Sequence, residues 1–265
     1  MSPSPNLKNQ RLLLVNDDGI HAPGMEILER IARELCDDVW VVAPEFEQSG
    51  ASHSLSIANP IRVRQVDEKR FAIRGTPTDC ALMAHYELMR EKKPTILLSG
   101  INRGANLAED VTYSGTCAAA MEGTQLGMRS VALSLVFTIG GKPYWATAER
   151  YAKRVIEHLL TVEWRQNAFI NVNFPDCEPA EVTGIRLTRQ GQRPPGSFTL
   201  DGRIDARNVP YYWVKISYNK GGELAETDLE AIDRNAISVT PLQLDLTHHG
   251  WREGLASSIA KLHIY

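Results

Sequence analysis

Cysteine is scarce in this sequence, at four in 265 residues. Cys36, Cys80, Cys117 and Cys177 are widely scattered, with no Cys-x-x-Cys pair and no histidine at zinc-ligand spacing. That argues against a metal knuckle or a thioredoxin-like motif, and the thiols read as buried bystanders. Long apolar runs are also missing. The longest, around Val131–Ile139, contains Ser134 and Thr138 and falls short of the ~20 residues that cross a bilayer. The Leu12–Val15 run is far shorter than a signal-peptide core of about 7 to 15 residues. No membrane partner is expected, and the cytoplasm is the expected location. Positive charge is not in excess: 29 Lys+Arg against 32 Asp+Glu leave a net charge of -3. No global field therefore recruits a nucleic-acid duplex or anionic lipid, and any phosphate chemistry must be local. Both common nucleotide fingerprints are absent: no Gly-x-Gly-x-x-Gly follows the first apolar run, and Gly141-Lys142 is followed by Pro143, so there is no P-loop. Internal repeats and low-complexity segments are lacking as well.

What is present is a globular composition, 43% hydrophobic and 23% charged, long enough to remove roughly three quarters of the unfolded surface from water. Leu12–Val15, Val39–Ala43, Ile96–Leu98 and Val131–Val136 are apolar without alternation, the pattern of strands buried on both faces. Between them lie helical patterns: Met25, Leu28, Ile31, Ala32 and Leu35 at i, i+3, i+4 spacing; Pro77 at a first helical position; and the Ala- and Met-rich Thr116–Leu126. Strand and helix repeated in this way predict an open, doubly wound α/β sheet, mostly parallel, with helices on both faces. A further helix is expected at Ala146–Leu160 and a strand at Phe169–Phe174. Beyond them the Pro-, Gly- and Arg-rich stretch Gln190–Asn208 suggests a projecting hairpin, with Asp201-Gly202 as its tight turn after Ser197–Leu200. Trp213–Ser217 and Ile237–Leu242 read as late strands, and Trp251–Leu262 as a closing helix.

Such a sheet binds ligands outside the carboxyl ends of its strands. The residues there are Asn16-Asp17-Asp18-Gly19, Pro44–Ser54 and Ser99-Gly100-Ile101-Asn102, and they are expected to converge. Adjacent Asp17 and Asp18 at the end of a buried strand repel one another unless a cation neutralises them; the alternative is an ordinary Asp-Asp-Gly turn. Ser49, within Ser49-Gly50-Ala51-Ser52, offers a hydroxyl, and Asn102 a carboxamide oxygen. If these four meet they form an all-oxygen site suited to magnesium or manganese. Tyr113-Ser114-Gly115-Thr116, directly before a helix, is a candidate phosphate seat, with plain N-capping as its alternative. His21 and His53 could carry protons, though a lone His is more often structural or on the surface, and Arg103 could steer phosphate, a solvated loop Arg being at least as common.

Taken together these stretches resemble the SurE family, the stationary-phase survival proteins that are metal-dependent 5'-nucleotidases. The resemblance rests on Asn16 through Gly24, Val42-Ala43-Pro44 with Ser49–Ser52, Gly75 through Cys80, Ser99–Asn102, and Asp110 through Gly123. Weaker echoes are Asn171–Pro175, Thr188-Arg189, Thr227-Asp228 and Val239–Leu242. It implies a Rossmann-like core over about residues 10–180 of one domain spanning 1–265, and an arm and C-terminal extension over about 181–265 exchanged between subunits of a homodimer or homotetramer. It implies one divalent metal ion per subunit on Asp17, Asp18, Ser49 and Asn102, with catalysis centred on the two Asp residues. Asn16, Asn106, Ser114, Gly115 and Thr116 would lie on the substrate phosphate. Ala108 and Cys117 depart from the family's usual Gly and Val, which touches loop shape rather than ligands. The expected activity is hydrolysis of nucleoside 5'-monophosphates. The rival readings are a phosphatase using an aspartyl-phosphate intermediate and a non-catalytic nucleotide sensor.

Overall fold

The computed structural model describes residues 7–138, 140–196, 198–216 and 225–261. The unbroken apolar runs become the middle of a sheet. Strand β1 (Leu12–Val15) is buried along its whole length. Leu12 and Leu14 enter one core cluster, Leu13 and Val15 the other, as period-2 alternation requires when both faces are covered. Helix α1 (Pro23–Leu35) buries Met25, Leu28, Ile31 and Leu35. Strand β2 (Val39–Pro44) then pairs parallel to β1.

Next come β3 (Arg62–Asp67) and β4 (Arg70–Arg74), an antiparallel hairpin at one sheet edge. Sequence patterning does not flag this hairpin, because every residue of β3 is exposed and no apolar run is needed there. Helix α2 (Pro77–Met83) starts on a capping box in which the Thr76 hydroxyl accepts from Asp79 N and the Asp79 carboxylate accepts from Thr76 N. Strand β5 (Ile96–Arg103), helix α3 (Gly115–Gln125), strand β6 (Arg129–Leu135), helix α4 (Trp145–Thr161) and strand β7 (Ala168–Phe174) complete the alternating part. β5 runs further than the apolar Ile96–Leu98 indicates: it continues through Asn102 with a register shift against β6 between Ser99 and Asn102. Asn102 is therefore carried by the strand's own extension and not by a loop after it.

The remaining elements are β8 (Gly184–Leu187), β9 (Phe198–Ile204), β10 (Pro210–Ile216), α5 (Asp228–Asp233), β11 (Ala236–Gln243) and α6 (His249–Ile259). Among the described residues the main sheet has nine strands in the order β3-β4-β2-β1-β5-β6-β7-β11-β8. All neighbours pair parallel except β3–β4 and β7–β11. Helices α1 and α4 cover one face, α2 and α3 the other. The chain winds outward from β1 to β2, then returns to β5 on β1's other side, so the strand order reverses between β1 and β5. That is the crevice where open α/β sheets take ligands.

β9 and β10 form a separate two-stranded arm. The expected turn at Asp201-Gly202 is not there. Asp201 and Gly202 lie inside β9, and the reversal is at Asp205–Asn208, where Asp205 Oδ1 accepts from Arg207 N and Val209 N and Asn208 sits at φ 61. Two observations account for this. Asp201 is paired with Arg203 and Lys215, and Gly202 lies under the Tyr212 ring, which a Cβ there would meet at 3.1 Å. Ser217 and Leu262, the ends of two expected elements, lie outside the described residues, as do Ser197 and Ile139.

Candidate active site

β1 ends by presenting Asn16, Asp17 and Asp18 at the reversal of strand order. The Asn16 side chain closes the turn, donating from Nδ2 to Gly19 O at 2.8 Å, and its buried Oδ1 has no partner. Asp17 turns toward the start of α3: Oδ1 accepts from Thr116 Oγ1 at 2.6 Å and Oδ2 from Thr116 N at 3.1 Å. The approach is close enough to require glycine before Thr116. A Cβ on Gly115 would stand 2.8 Å from Asp17 Cβ and 3.0 Å from its Oδ2. The backbone carbonyl of Asp17 accepts from Gln48 N at 2.7 Å, which brings in the loop carrying Ser49. Asp18 Oδ2 accepts from Arg103 N at 2.8 Å, which brings in the end of β5 carrying Asn102. Thus three other segments are tied to Asp17 and Asp18: 102–103 and 115–116 through the carboxylates, and 48–49 through the Asp17 backbone carbonyl.

The donor atoms are of the kind a hard cation takes. Asn102 donates from Nδ2 to Gly104 O at 3.0 Å, which leaves its carboxamide oxygen available. Ser49 Oγ donates to Glu47 Oε1 at 2.8 Å, which leaves the hydroxyl lone pairs available. Burial raises the Asp17 carboxyl above its usual range, against the lowering effect of the Thr116 hydrogen bonds. Burial, then the Asp17 charge beside it, pushes Asp18 up to about 6. Two neighbouring carboxylates that resist ionisation are stabilised when a cation replaces the proton. Two carboxylates, a hydroxyl and a carboxamide fit magnesium or manganese. Among the described residues no group of three or more His, Cys, Asp or Glu could hold a metal.

The structure treats the other singled-out residues unevenly. Ser114 caps α3, accepting from Cys117 N at 3.0 Å. Thr116 spends both its hydroxyl and its backbone N–H on Asp17. Asn106 is buried in an amide network: its N–H donates to Asn173 Oδ1 at 2.9 Å, its Nδ2 to Ser134 Oγ at 2.7 Å, and its carbonyl accepts from Asn171 and Asn173. His53 faces Glu122 at 3.0 Å, while His21 is exposed. The Arg103 guanidinium lies over the Phe137 ring at 4.8 Å, and its charge acts to lower the Asp18 pKa. All four cysteines are free and buried, and burial pushes the Cys117 thiol to about 12, so it carries no thiolate chemistry.

Two buried groups hold the 107–110 turn, and composition and spacing do not single them out. Arg193 grips Asp110 with two nitrogens, at 3.0 and 2.9 Å, and donates to Leu107 O. Asp228 accepts from the backbone N–H groups of Ala108, Gly191 and Leu229 at 2.8–2.9 Å. Asn171 and Asn173 did carry a signal, two amides at period 2 in an otherwise apolar strand.

Fold and site together define a doubly wound α/β protein with a carboxylate-centred, oxygen-donor site at the reversal of strand order, beside a helix N-terminus. The Survival protein SurE family matches residues 12–196, and the chain belongs to that family. It is similar to the 5'-nucleotidase SurE of Parvibaculum lavamentivorans, 51% identical over 257 residues covering 96% of this chain and 93% of that protein. It is also similar to the 5'-nucleotidase SurE of Methylorubrum extorquens (strain PA1), 54% identical over 239 residues covering 89% and 94%. The SurE protein of Aquifex aeolicus, a solved crystal structure, superposes with a TM-score of 0.79 at 36% identity, covering 94% of this chain and 98% of that one.

Proposed function

We propose that this protein is a phosphomonoesterase hydrolysing nucleoside 5'-monophosphates to nucleoside and phosphate with one divalent ion, magnesium or manganese, per subunit. Asp17, Asp18, Ser49 and Asn102 hold that ion. The single observation that carries the reading is the pair of buried Asp17 and half-buried Asp18, raised in pKa and tied by hydrogen bonds to the segments bearing the other two donors. When bound, the ion supplies charge for the phosphoryl oxygens and lowers the pKa of a water nucleophile. The chain's own part is orientation. Thr116 fixes Asp17, the Arg103 N–H fixes Asp18, and the start of α3 at Ser114–Thr116 aims a helix dipole at the phosphate. Asn16 and Asn106 border the same seat. Both Asp17 oxygens are occupied by Thr116, which favours a ligand role for Asp17 over attack on phosphorus.

The test is phosphate release across nucleoside monophosphates with magnesium, manganese or chelator. Metal-dependent release abolished by Asp17→Asn is expected. Chelator-resistant release, or a phosphoenzyme trapped on either Asp, overturns the mechanism, and tight binding without release makes the protein a sensor.

For the remaining organisation, the reading is one domain with an assembly arm and tail, working as a homodimer or homotetramer in the cytoplasm. Supporting it, the arm exposes Tyr212, Trp213 and Val214, and α6 exposes Trp251, Leu255 and Ile259 while burying nothing. No helix among the described residues is long and apolar enough to cross a membrane.

A further inference from the structure

The carboxyl ends of β6 and β7 are apolar on one face and polar on the other. Leu133, Leu135, Val172 and Phe174 enter the core under α1 and α4, whereas the α3 side carries Ser134, Asn171 and Asn173, all fully buried. A buried hydroxyl or carboxamide costs free energy unless it is hydrogen-bonded, and apolar residues of the same shape would hold the sheet as well. All three of these side chains bond to one residue, Asn106.

Asn173 pairs with Asn106 at two points, as a neighbouring strand would. The Asn106 N–H donates to Asn173 Oδ1 at 2.9 Å, and Asn173 Nδ2 donates back to Asn106 O at 3.1 Å. Asn171 Nδ2 adds a second donor to that carbonyl at 2.7 Å. The Asn106 backbone is thus fully committed, but its side chain is only half so. Nδ2 carries two hydrogens, one of which goes to Ser134 Oγ at 2.7 Å. A carboxamide is planar, so fixing the first N–H fixes the direction of the second, which has no partner among the described residues. Place gives that N–H a use. In register Asn102 of β5 lies beside Ser134 of β6, and Ser134 beside Asn173 of β7, adjacent strands being about 4.8 Å apart. Asn171 Oδ1 accepts from Cys117 Sγ at 3.8 Å, and Cys117 follows Thr116, which holds Asp17. Asn106 therefore stands between the strand row of Asn102 and the start of α3.

Resting on the nucleotidase reading, we infer that Asn173, Asn171 and Ser134 are positioning residues: they hold the Asn106 amide so that its second N–H donates to a phosphoryl oxygen as charge gathers there in the transition state. Asn173 contributes most, because its two-point pairing sets the backbone from which the amide extends.

The experiment is a double-mutant cycle. Asn173→Val and the nearly isosteric Ser134→Ala are each made in wild type and in Asn106→Ala, which keeps the backbone groups that Asn173 binds. Phosphate release from adenosine 5'-monophosphate, calorimetric affinity for inorganic phosphate with magnesium or manganese present, and stability in denaturant are measured for each. In wild type, Asn173→Val is expected to lower kcat about 10- to 100-fold by misplacing the amide. Ser134→Ala should lower it about three- to tenfold through one lost hydrogen bond, and it carries the test should Asn173→Val not fold. Cation affinity should be unchanged in both. In the Asn106→Ala background neither is expected to lower kcat further, whereas Asn173→Val destabilises both backgrounds alike. A purely structural clamp would instead lower kcat by the same factor in both backgrounds; that result overturns the inference and leaves the nucleotidase reading standing. Wild type that binds phosphate but releases none, and loses that affinity to Asn173→Val or Ser134→Ala only when Asn106 is present, does the reverse. Absence of both binding and release overturns the two together.

Discussion

Asp18→Asn separates the folding role of the carboxylate pair from its chemical one. The Asp18 carboxyl rises from 3.8 to about 6, first because it is buried and second because Asp17 stands beside it. At neutral pH the metal-free fold therefore holds an ionised group that it disfavours by about 3 kcal/mol relative to the unfolded chain. The sign follows from the direction of the shift. Below about pH 4 the group is protonated in both states and contributes no penalty. The penalty develops as pH rises from about 4 through 6 and is complete above that. Asparagine keeps the side-chain shape and can still accept from Arg103 N, but carries no charge. In chelator the variant is thus expected to be more stable than wild type at pH 7, by up to about 3 kcal/mol, or roughly 5–10 °C in Tm for a chain of this size. The two should converge near pH 4. The same variant should lose divalent-cation binding and phosphate release. Chemical denaturation at pH 4, 5.5 and 7, with calorimetric titration of magnesium or manganese, reads both effects. A variant less stable than wild type at pH 7, or a stability difference flat in pH, would refute the argument that Asp18 is held ionised against its burial and the neighbouring Asp17 charge.

Three further outcomes follow from the packing. Gly115→Ala places a methyl 2.8 Å from Asp17 Cβ; it should weaken cation binding and cost about 1–3 kcal/mol in denaturation experiments. Arg193→Leu leaves the half-buried Asp110 without its bidentate partner, and a loss of about 1–3 kcal/mol in denaturant is expected. On the assembly reading, Trp213→Ser combined with removal of residues from His249 onward should lower the mass found by light scattering; an unchanged mass would exclude the arm and tail as the contact.

Much of this was legible because the site follows the strands. Buried parallel strands announce themselves as unbroken apolar runs, so the loops after β1 and β2 could be found by counting. Asn102 was found for the same reason, although β5 itself carries it. The edge strands β3 and β8 were silent because they are exposed and need no apolar signature. The arm's turn was misplaced because Asp-Gly is a local signal, whereas Tyr212 packing over Gly202 is a cross-strand one. The contacts of Arg193 and Asp228 are illegible for a related reason, although Thr227-Asp228 stands among the family echoes. Asp110 and Ala108 lie 83 and 120 residues from them in sequence, and no spacing encodes such a contact.

The alternation of β1 between two cores has a consequence for insertions and deletions. Where one face of a strand is polar, a one-residue slip is punished by burying the wrong side chains. Here both faces are apolar, so the hydrophobic pattern of Leu12 to Val15 alone discriminates weakly between the two faces. The slip would instead carry Asp17 away from Thr116 and Asp18 away from the Arg103 N–H. The carboxylates proposed to hold the cation are thus also the pins that index the central strand.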